Sequence, residues 1–285
     1  MSLGVALAGG GLKGMAHIGA LQALQELGVK IDYLSGTSSG SIIAAFFAMG
    51  YDIENMKTSA NEYYKVLTKI SKKPIAKAGF TYVTSGIAKI SGLVPGEKIE
   101  EVVEKLAEKK NLKTMSDLKI PFAVATVDTI TTKECIFLSR KCNLKNENLD
   151  YIYNAPISKA VRASMSFPGI FTPCEYDKYN FIDGGTKDNL PVHILKNMGA
   201  SKTLALSFKI DDYVPKEDIF AVLLRAVDIF SLKDVRAAQR EADLAIEIDA
   251  SGTKLLEISN MEECIKCGYN TIMNNKEKIL NLIKE

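Results

Sequence analysis

The first residues with chemical potential are Gly36-Thr37-Ser38-Ser39-Gly40, a G-x-S-x-G run. A serine so placed acts as a nucleophile when it sits on a tight strand-to-helix turn, because small flanking residues let the chain segments close in and lift the hydroxyl clear. The sequence supplies that setting. Residues 31 to 35 before the run read as a strand, and residues 41 to 49 after it read as an apolar helix that stops at Gly50. The start of such a helix points its positive end at a developing oxyanion. A plain tight turn explains Gly36 and Gly40 equally well, so a catalytic Ser38 needs partners.

The first candidate partner is the loop Gly9-Gly10-Gly11-Leu12-Lys13-Gly14. It follows an apolar run over residues 3 to 8. It precedes Met15, Ile18, Leu21, Leu24 and Leu27 at helical spacing, with Gly28 where a C-cap glycine belongs. Consecutive amides of Gly9, Gly10 and Gly11 can converge on an anion and form an oxyanion hole, in which one donor contributes about 2.7 to 4 kcal/mol. The same loop fits G-x-G-x-x-G, with Asp32 near the spacing of a ribose-binding acid, so a dinucleotide site is the competing reading. Against it, Asp32 precedes the apolar residues of its strand, and a cofactor leaves Ser38 without a task.

The second partner must be a base, and the chain has two histidines. In the usual hydrolase order the histidine comes last, which leaves His193, at the opening of a helix; His17 lies inside the first helix, where it is expected to pack or cap. A carboxylate acting directly on the serine is the alternative. Asp183 follows the apolar pair Phe181-Ile182 and precedes Gly184-Gly185, an abrupt turn at a strand end. An ordinary Asp-Gly turn would look the same. A free aspartate, pKa about 3.9, is a weak base for an alcohol, so this assignment requires a dry site that raises it.

The elements that must carry these residues alternate between strand and helix. With 285 residues and 47% apolar content, they predict one α/β domain over residues 1–285. Its motif-bearing core covers about 3–200, with a helical, lid-like insertion over about 52–110 and an α/β remainder over about 200–285. Strands are expected at 120–128, 133–139, 203–210 and 244–248, and helices at 158–166 and 191–198, from about 217, and at the C-terminus. A net charge of +2 gives no field for nucleic acid. The longest apolar run, residues 42 to 49, is far short of the roughly 18 residues that span a bilayer. Five cysteines, an odd number behind an N-terminus without a basic region, suit a reducing compartment, with the cytoplasm as the expected location. Cys264 and Cys267 have redox or metal spacing, but in an amphipathic segment a spacing of three places both on one packing face.

Between Tyr63 and Gly96 there is no acidic residue, whereas Lys65, Lys69, Lys72, Lys73, Lys77 and Lys89 fall there among aromatic and aliphatic side chains. This predicts a cover over the site that rests on anionic lipid, peripheral to a membrane; a solvated helix face is the alternative.

Taken together, Gly9 to Gly14 as G-G-G-x-x-G, Gly36 to Gly40 as G-T-S-S-G, and Asp183-Gly184-Gly185 as D-G-G resemble the patatin-like phospholipase family. Ala163 to Pro173 adds the segment A-S-x-S-x-P-x-x-F-x-P. The resemblance spans about Leu3 to Pro191. It implies a three-layer α/β/α fold with a mostly parallel central sheet and lipid-ester hydrolysis without metal or cofactor. It also implies Ser38 as nucleophile, Asp183 as proton acceptor and the Gly9–Gly11 amides as oxyanion donors. Gly14, Gly36, Gly40, Gly184 and Gly185 support the turns.

Overall fold

The computed structural model describes residues 1–70, 96–142, 146, 148–210, 219–250 and 261–284. The first apolar run forms β1 (Leu3–Leu7), every residue of it buried. A 3₁₀ turn over Gly11–Met15 leads into α1 (Ala16–Glu26), closed by Gly28 at a φ of +70°. The left-handed geometry that glycine adopts without penalty ends the helix. β2 (Tyr33–Gly36) and α2 (Ser39–Ala48) flank the Ser38 turn, and α3 (Ile53–Ile70) and α4 (Glu97–Lys109) fall in the expected insertion. The lysine-rich stretch falls outside the described residues, including the side chains of Lys65 and Lys69 at the end of α3.

The hairpin expected near residue 130 is β3 (Phe122–Asp128) and β4 (Glu134–Leu138), paired antiparallel. β5 (Leu149–Tyr153) runs parallel to β4, followed by α5 (Ile157–Ser164). β6 (Cys174–Tyr176) and β7 (Tyr179–Asp183) form a short hairpin, and a 3₁₀ turn over Gly184–Thr186 follows. The chain closes with α6 (Val192–Met198), β8 (Lys202–Phe208), α7 (Ile219–Glu241), β9 (Leu244–Ile248), α8 (Met261–Asn274) and α9 (Lys276–Leu282). Sequence patterning misses β5 and β6, because Leu149–Tyr153 is mostly half-buried with no clean alternation and Cys174–Tyr176 has three residues.

The sheet runs β5-β4-β3-β2-β1-β8-β9, with β6-β7 branching from β3. β1 lies parallel between β2 and β8, and β2 pairs parallel with β3. Alternation along β1 sorts the layers. Leu3, Val5 and Leu7 face the large core shared with α1, α2 and α8, whereas Ala6 faces a smaller cluster with Val192 and Leu195 of α6 and Val235 and Ala238 of α7. Helices thus cover both faces of a mostly parallel sheet, the expected three-layer α/β/α arrangement.

The last long helix is locked to the first by two glycines. A side chain on Gly19 would stand 1.8 Å from the Ile265 carbonyl oxygen, and one on Gly268 equally close to that of Ala16. α1 and α8 therefore cross with backbones in contact, Cys264 is buried beside the crossing, and Cys267 packs at the core's edge. Replacing Gly268 by Val forces the helices apart and should cost about 3 kcal/mol, measured by urea denaturation, whereas Ala237→Val on the exposed face of α7 leaves the midpoint unchanged.

Candidate active site

Two strands that end on the same edge of β3 create the site. β2 pairs with the first half of β3 and ends with Gly36 opposite Val124. β7 approaches from the other end, antiparallel, and stops with Asp183 opposite Thr126. Only Ala125 separates the two registers, about 7 Å of strand. The turns after both strands, one carrying Ser38 and the other starting at Asp183, are thereby forced together.

Ser164, the last residue of α5, fills the gap. Its hydroxyl donates to the Ala125 carbonyl at 2.8 Å, and its oxygen accepts the Ser38 N–H at 2.9 Å. Two residues on, the Ser166 carbonyl accepts the Asp183 N–H at 3.0 Å, and buried Arg162 donates to the Ser166 hydroxyl. The serine-rich segment therefore grips the backbone amide of each candidate residue. Packing at the gap is tight: a Cβ on Gly184 would lie 2.3 Å from the Ala125 oxygen.

Ser38 occupies φ 50°, ψ −127° at the N-cap of α2. Non-glycine residues avoid this region, and holding one there stores about 1–3 kcal/mol. The elbow is held by Gly40, whose missing side chain leaves room for the Leu7 and Ala8 carbonyls, and by a Thr37 hydroxyl bond to the Asp188 carbonyl at 2.8 Å. The Ser38 hydroxyl rests 3.7 Å from the Met165 sulfur.

Asp183 is 2% exposed. Its Oδ1 accepts the Gly185 N–H at 2.8 Å, whereas Oδ2 is buried without a hydrogen-bond partner among the described residues. Burial pushes its carboxyl pKa up to about 7, against the smaller lowering effects of the neighbouring Ser38 hydroxyl and the Gly185 amide. An unpartnered carboxylate oxygen of raised proton affinity thus lies near a strained serine.

The glycine loop lies against this pair, and the amides of Gly9 and Gly10 are already engaged. The Gly9 N–H donates to the Asn189 carbonyl and side-chain oxygens at 3.2 and 3.1 Å, and the Asn189 amide returns a bond to the Gly9 carbonyl. These bonds occupy the Gly9 N–H, one of the expected oxyanion donors. Its lack of a side chain matters instead, since a Cβ would sit 2.9 Å from that of Ser38. The Gly10 N–H donates to the Ser39 hydroxyl at 3.0 Å. Gly14 leaves room for the Ser39 side chain, and Gly185 lies beside Asn189.

Both histidines are structural. His17 is fully buried, and its Nε2–H donates to the Ala8 carbonyl at 2.9 Å. Burial outweighs that bond and drops its pKa to about 4, leaving it neutral. His193 Nε2 lies 3.1 Å from Asp188 and 3.3 Å from Glu134. Burial would lower its pKa, but the two carboxylates carry it up to about 10, so it is a cation at neutral pH and unsuited to act as a base. The donor atoms of Glu134, Asp188 and His193 cluster as metal ligands can, yet the imidazolium itself supplies the positive charge there. Asp32 accepts the Leu3 N–H and pairs with Lys30, at the opposite end of β1 from the glycine loop. That distance removes the dinucleotide reading.

Sequence reasoning missed Asn189, Asp188 and Thr37, which tie the three loops together. Their bonds span 151 to 180 residues and leave no local signal.

The conformational strain is measurable: Ser38→Gly should be about 1 kcal/mol more stable than Ser38→Ala in urea denaturation, as only glycine relieves the backbone. The buried carboxyl gives a second test. Its folded pKa lies above its unfolded value, so folding favours the protonated form. Its stability contribution is fully present below about pH 4 and lost as pH rises through about 7. Asp183→Asn should match the wild type near pH 4 and exceed it above pH 7 by an amount on the order of 4 kcal/mol in pH-resolved denaturation.

The profile of patatin-like phospholipases matches residues 5–196. An uncharacterised NTE family protein of Mycobacterium tuberculosis is 31% identical over 194 residues, 68% of this chain and 28% of that protein. Lysophospholipase NTE1 of Candida albicans is 24% identical over 215 residues, 75% of this chain and 14% of its own. The chain thus spans less than a third of the length of either relative. VipD from Legionella pneumophila superposes with a TM-score of 0.50 at 17% identity, over 96% of this chain and 66% of that one, a likeness of fold. On the profile match, which covers most of the sheet and all four motif segments, the chain belongs to the patatin-like phospholipase family.

Proposed function

We propose that this protein hydrolyses carboxylic esters of phospholipids, lysophospholipids or related acylglycerols, with Ser38 as nucleophile and Asp183 as its base. One observation carries the reading: a buried carboxylate oxygen without a hydrogen-bond partner among the described residues lies beside a serine held at positive φ. Asp183 takes the hydroxyl proton as Ser38 Oγ adds to the ester carbonyl. The protonated carboxyl returns that proton to the leaving alcohol, and an acyl-enzyme remains. Water then adds to the acyl carbon as Asp183 accepts its proton, and collapse releases the fatty acid and restores the Ser38 hydroxyl.

The oxyanion is assigned to the amides of Gly9, Gly10 and Gly11, with Asn189 holding the loop at Gly9. The Ser39 hydroxyl oxygen now on the Gly10 amide stands where a substrate oxygen would bind, and it must swing aside as the ester enters. The positive end of α2 reinforces those donors. Family membership and a relative named as a lysophospholipase support a lipid ester over other acyl compounds. No described helix is long and apolar enough to cross a membrane, so substrate is expected to be reached from an aqueous face or a lipid surface. The cover expected from the lysines near residues 65–77 stays part of this reading.

A fluorophosphonate ester probe tests the nucleophile whatever the natural ester is. Intact mass should show one adduct, absent in Ser38→Ala, and a folded wild type that takes no label refutes the assignment. On a short-chain ester, Asp183→Asn should lower kcat about 10²- to 10⁴-fold. Because the base must be ionised, kcat/KM should rise about tenfold per pH unit below 7 and level off above it.

A further inference from the structure

One face of α7 is exposed among the described residues. The opposite face is fully engaged: Ser231 is buried, and Val235, Ala238 and Ala242 pack on the core beneath β1 and β8. Facing away, Val222, Ile229 and Phe230 stand in solvent, with Ile229 60% and Phe230 73% exposed. Adjacent exposed side chains of this size mark a surface that meets a lipid or a partner. The pattern continues along the same line. From Val222, steps of seven, four, three and four residues lead to Ile229, Lys233, Arg236 and Arg240, and all three cations are exposed. Asp228 and Asp234 lie off that line. The helix therefore presents Val222, Ile229 and Phe230, with Arg225 among them, followed by a basic half on one face.

We propose that this face is the docking surface for an anionic phospholipid membrane, with Val222, Ile229 and Phe230 among the acyl chains and Lys233, Arg236 and Arg240 at the lipid phosphates. Charge complementarity selects this occupant. A second copy fits poorly, since parallel pairing of two such faces sets cation against cation, and antiparallel pairing sets cations on apolar side chains. Position agrees, because α7 packs against the Gly184–Thr186 turn that follows Asp183. A docked helix would thus hold the mouth of the site at the lipid surface. The choice of lipid rests on the lipid-ester reading above, but binding is measured without turnover.

The test uses the full chain and sucrose-loaded vesicles of phosphatidylcholine, with and without phosphatidylglycerol, in sedimentation assays. The double variant Ile229→Ser, Phe230→Ser should reduce partitioning about tenfold on mixed vesicles. The triple variant Lys233→Gln, Arg236→Gln, Arg240→Gln should reduce it about tenfold there and abolish the preference over pure phosphatidylcholine. Both should keep the wild-type circular dichroism spectrum and hydrolyse a water-soluble short-chain ester within about twofold of the wild-type rate. Partitioning unchanged in both variants overturns the proposal, as does a wild type that binds neither vesicle. A wild-type dimer that the double variant dissolves while vesicle binding persists also overturns it, assigning the face to self-association. A wild type that hydrolyses no ester yet loses vesicle binding in both variants supports the surface and defeats the catalytic reading alone.

Discussion

The site depends on one interrupted edge of the sheet. Along β3 a parallel strand and an antiparallel strand approach each other and stop, leaving the Ala125 carbonyl between them without a ladder partner. A buried carbonyl cannot be left unsatisfied without penalty, and Ser164 meets the need with its hydroxyl. Because that oxygen also takes the Ser38 N–H, the repair of the sheet and the placement of the elbow are one structural event. Closing the gap with regular pairing would satisfy the carbonyl and erase the site.

Electrostatics follow from the same burial. Three titratable side chains near the loops are driven in different directions by their surroundings. Asp183 has too few donors and keeps a high proton affinity; His17 has one carbonyl acceptor and stays neutral; His193 has two carboxylates and stays charged. The two histidines serve the backbone and an ion pair. Among the described residues, the buried carboxylate with an unpartnered oxygen is the one near the serine, an imbalance that keeps a lone pair available.

Much of this was legible in the sequence because it is written in local patterns. The G-x-S-x-G turn, the apolar strand before it and the buried helix after it are contiguous, and Asp183 announces itself by an apolar strand that ends in two glycines. What held them together was not legible. Ser164 and Ser166 stood out only through resemblance to a family, and nothing local says that one serves Ser38 through its hydroxyl and the other Asp183 through its carbonyl. Gly9 shows the opposite failure. A glycine loop before a helix reads as a set of donors, and the Asn189 side chain that engages the first of them arrives from 180 residues away. Strand pairing across β3 was equally hidden, since register is set between segments rather than within them.

The boundary of recognisable sequence and the boundary of the cooperative structure differ in this molecule. The family profile ends within α6, at residue 196, but β1, which leads into the glycine loop, takes one of its two neighbours from β8. α1, which carries the loop's far end, rests on α8 through bare backbone at Gly19 and Gly268. Grafting the recognisable portion alone into another scaffold would thus transplant every chemical group while removing half the walls that fix their spacing. The portability of the chemistry is limited by its architecture, because the shape of the final third fixes the placement of groups that lie outside it.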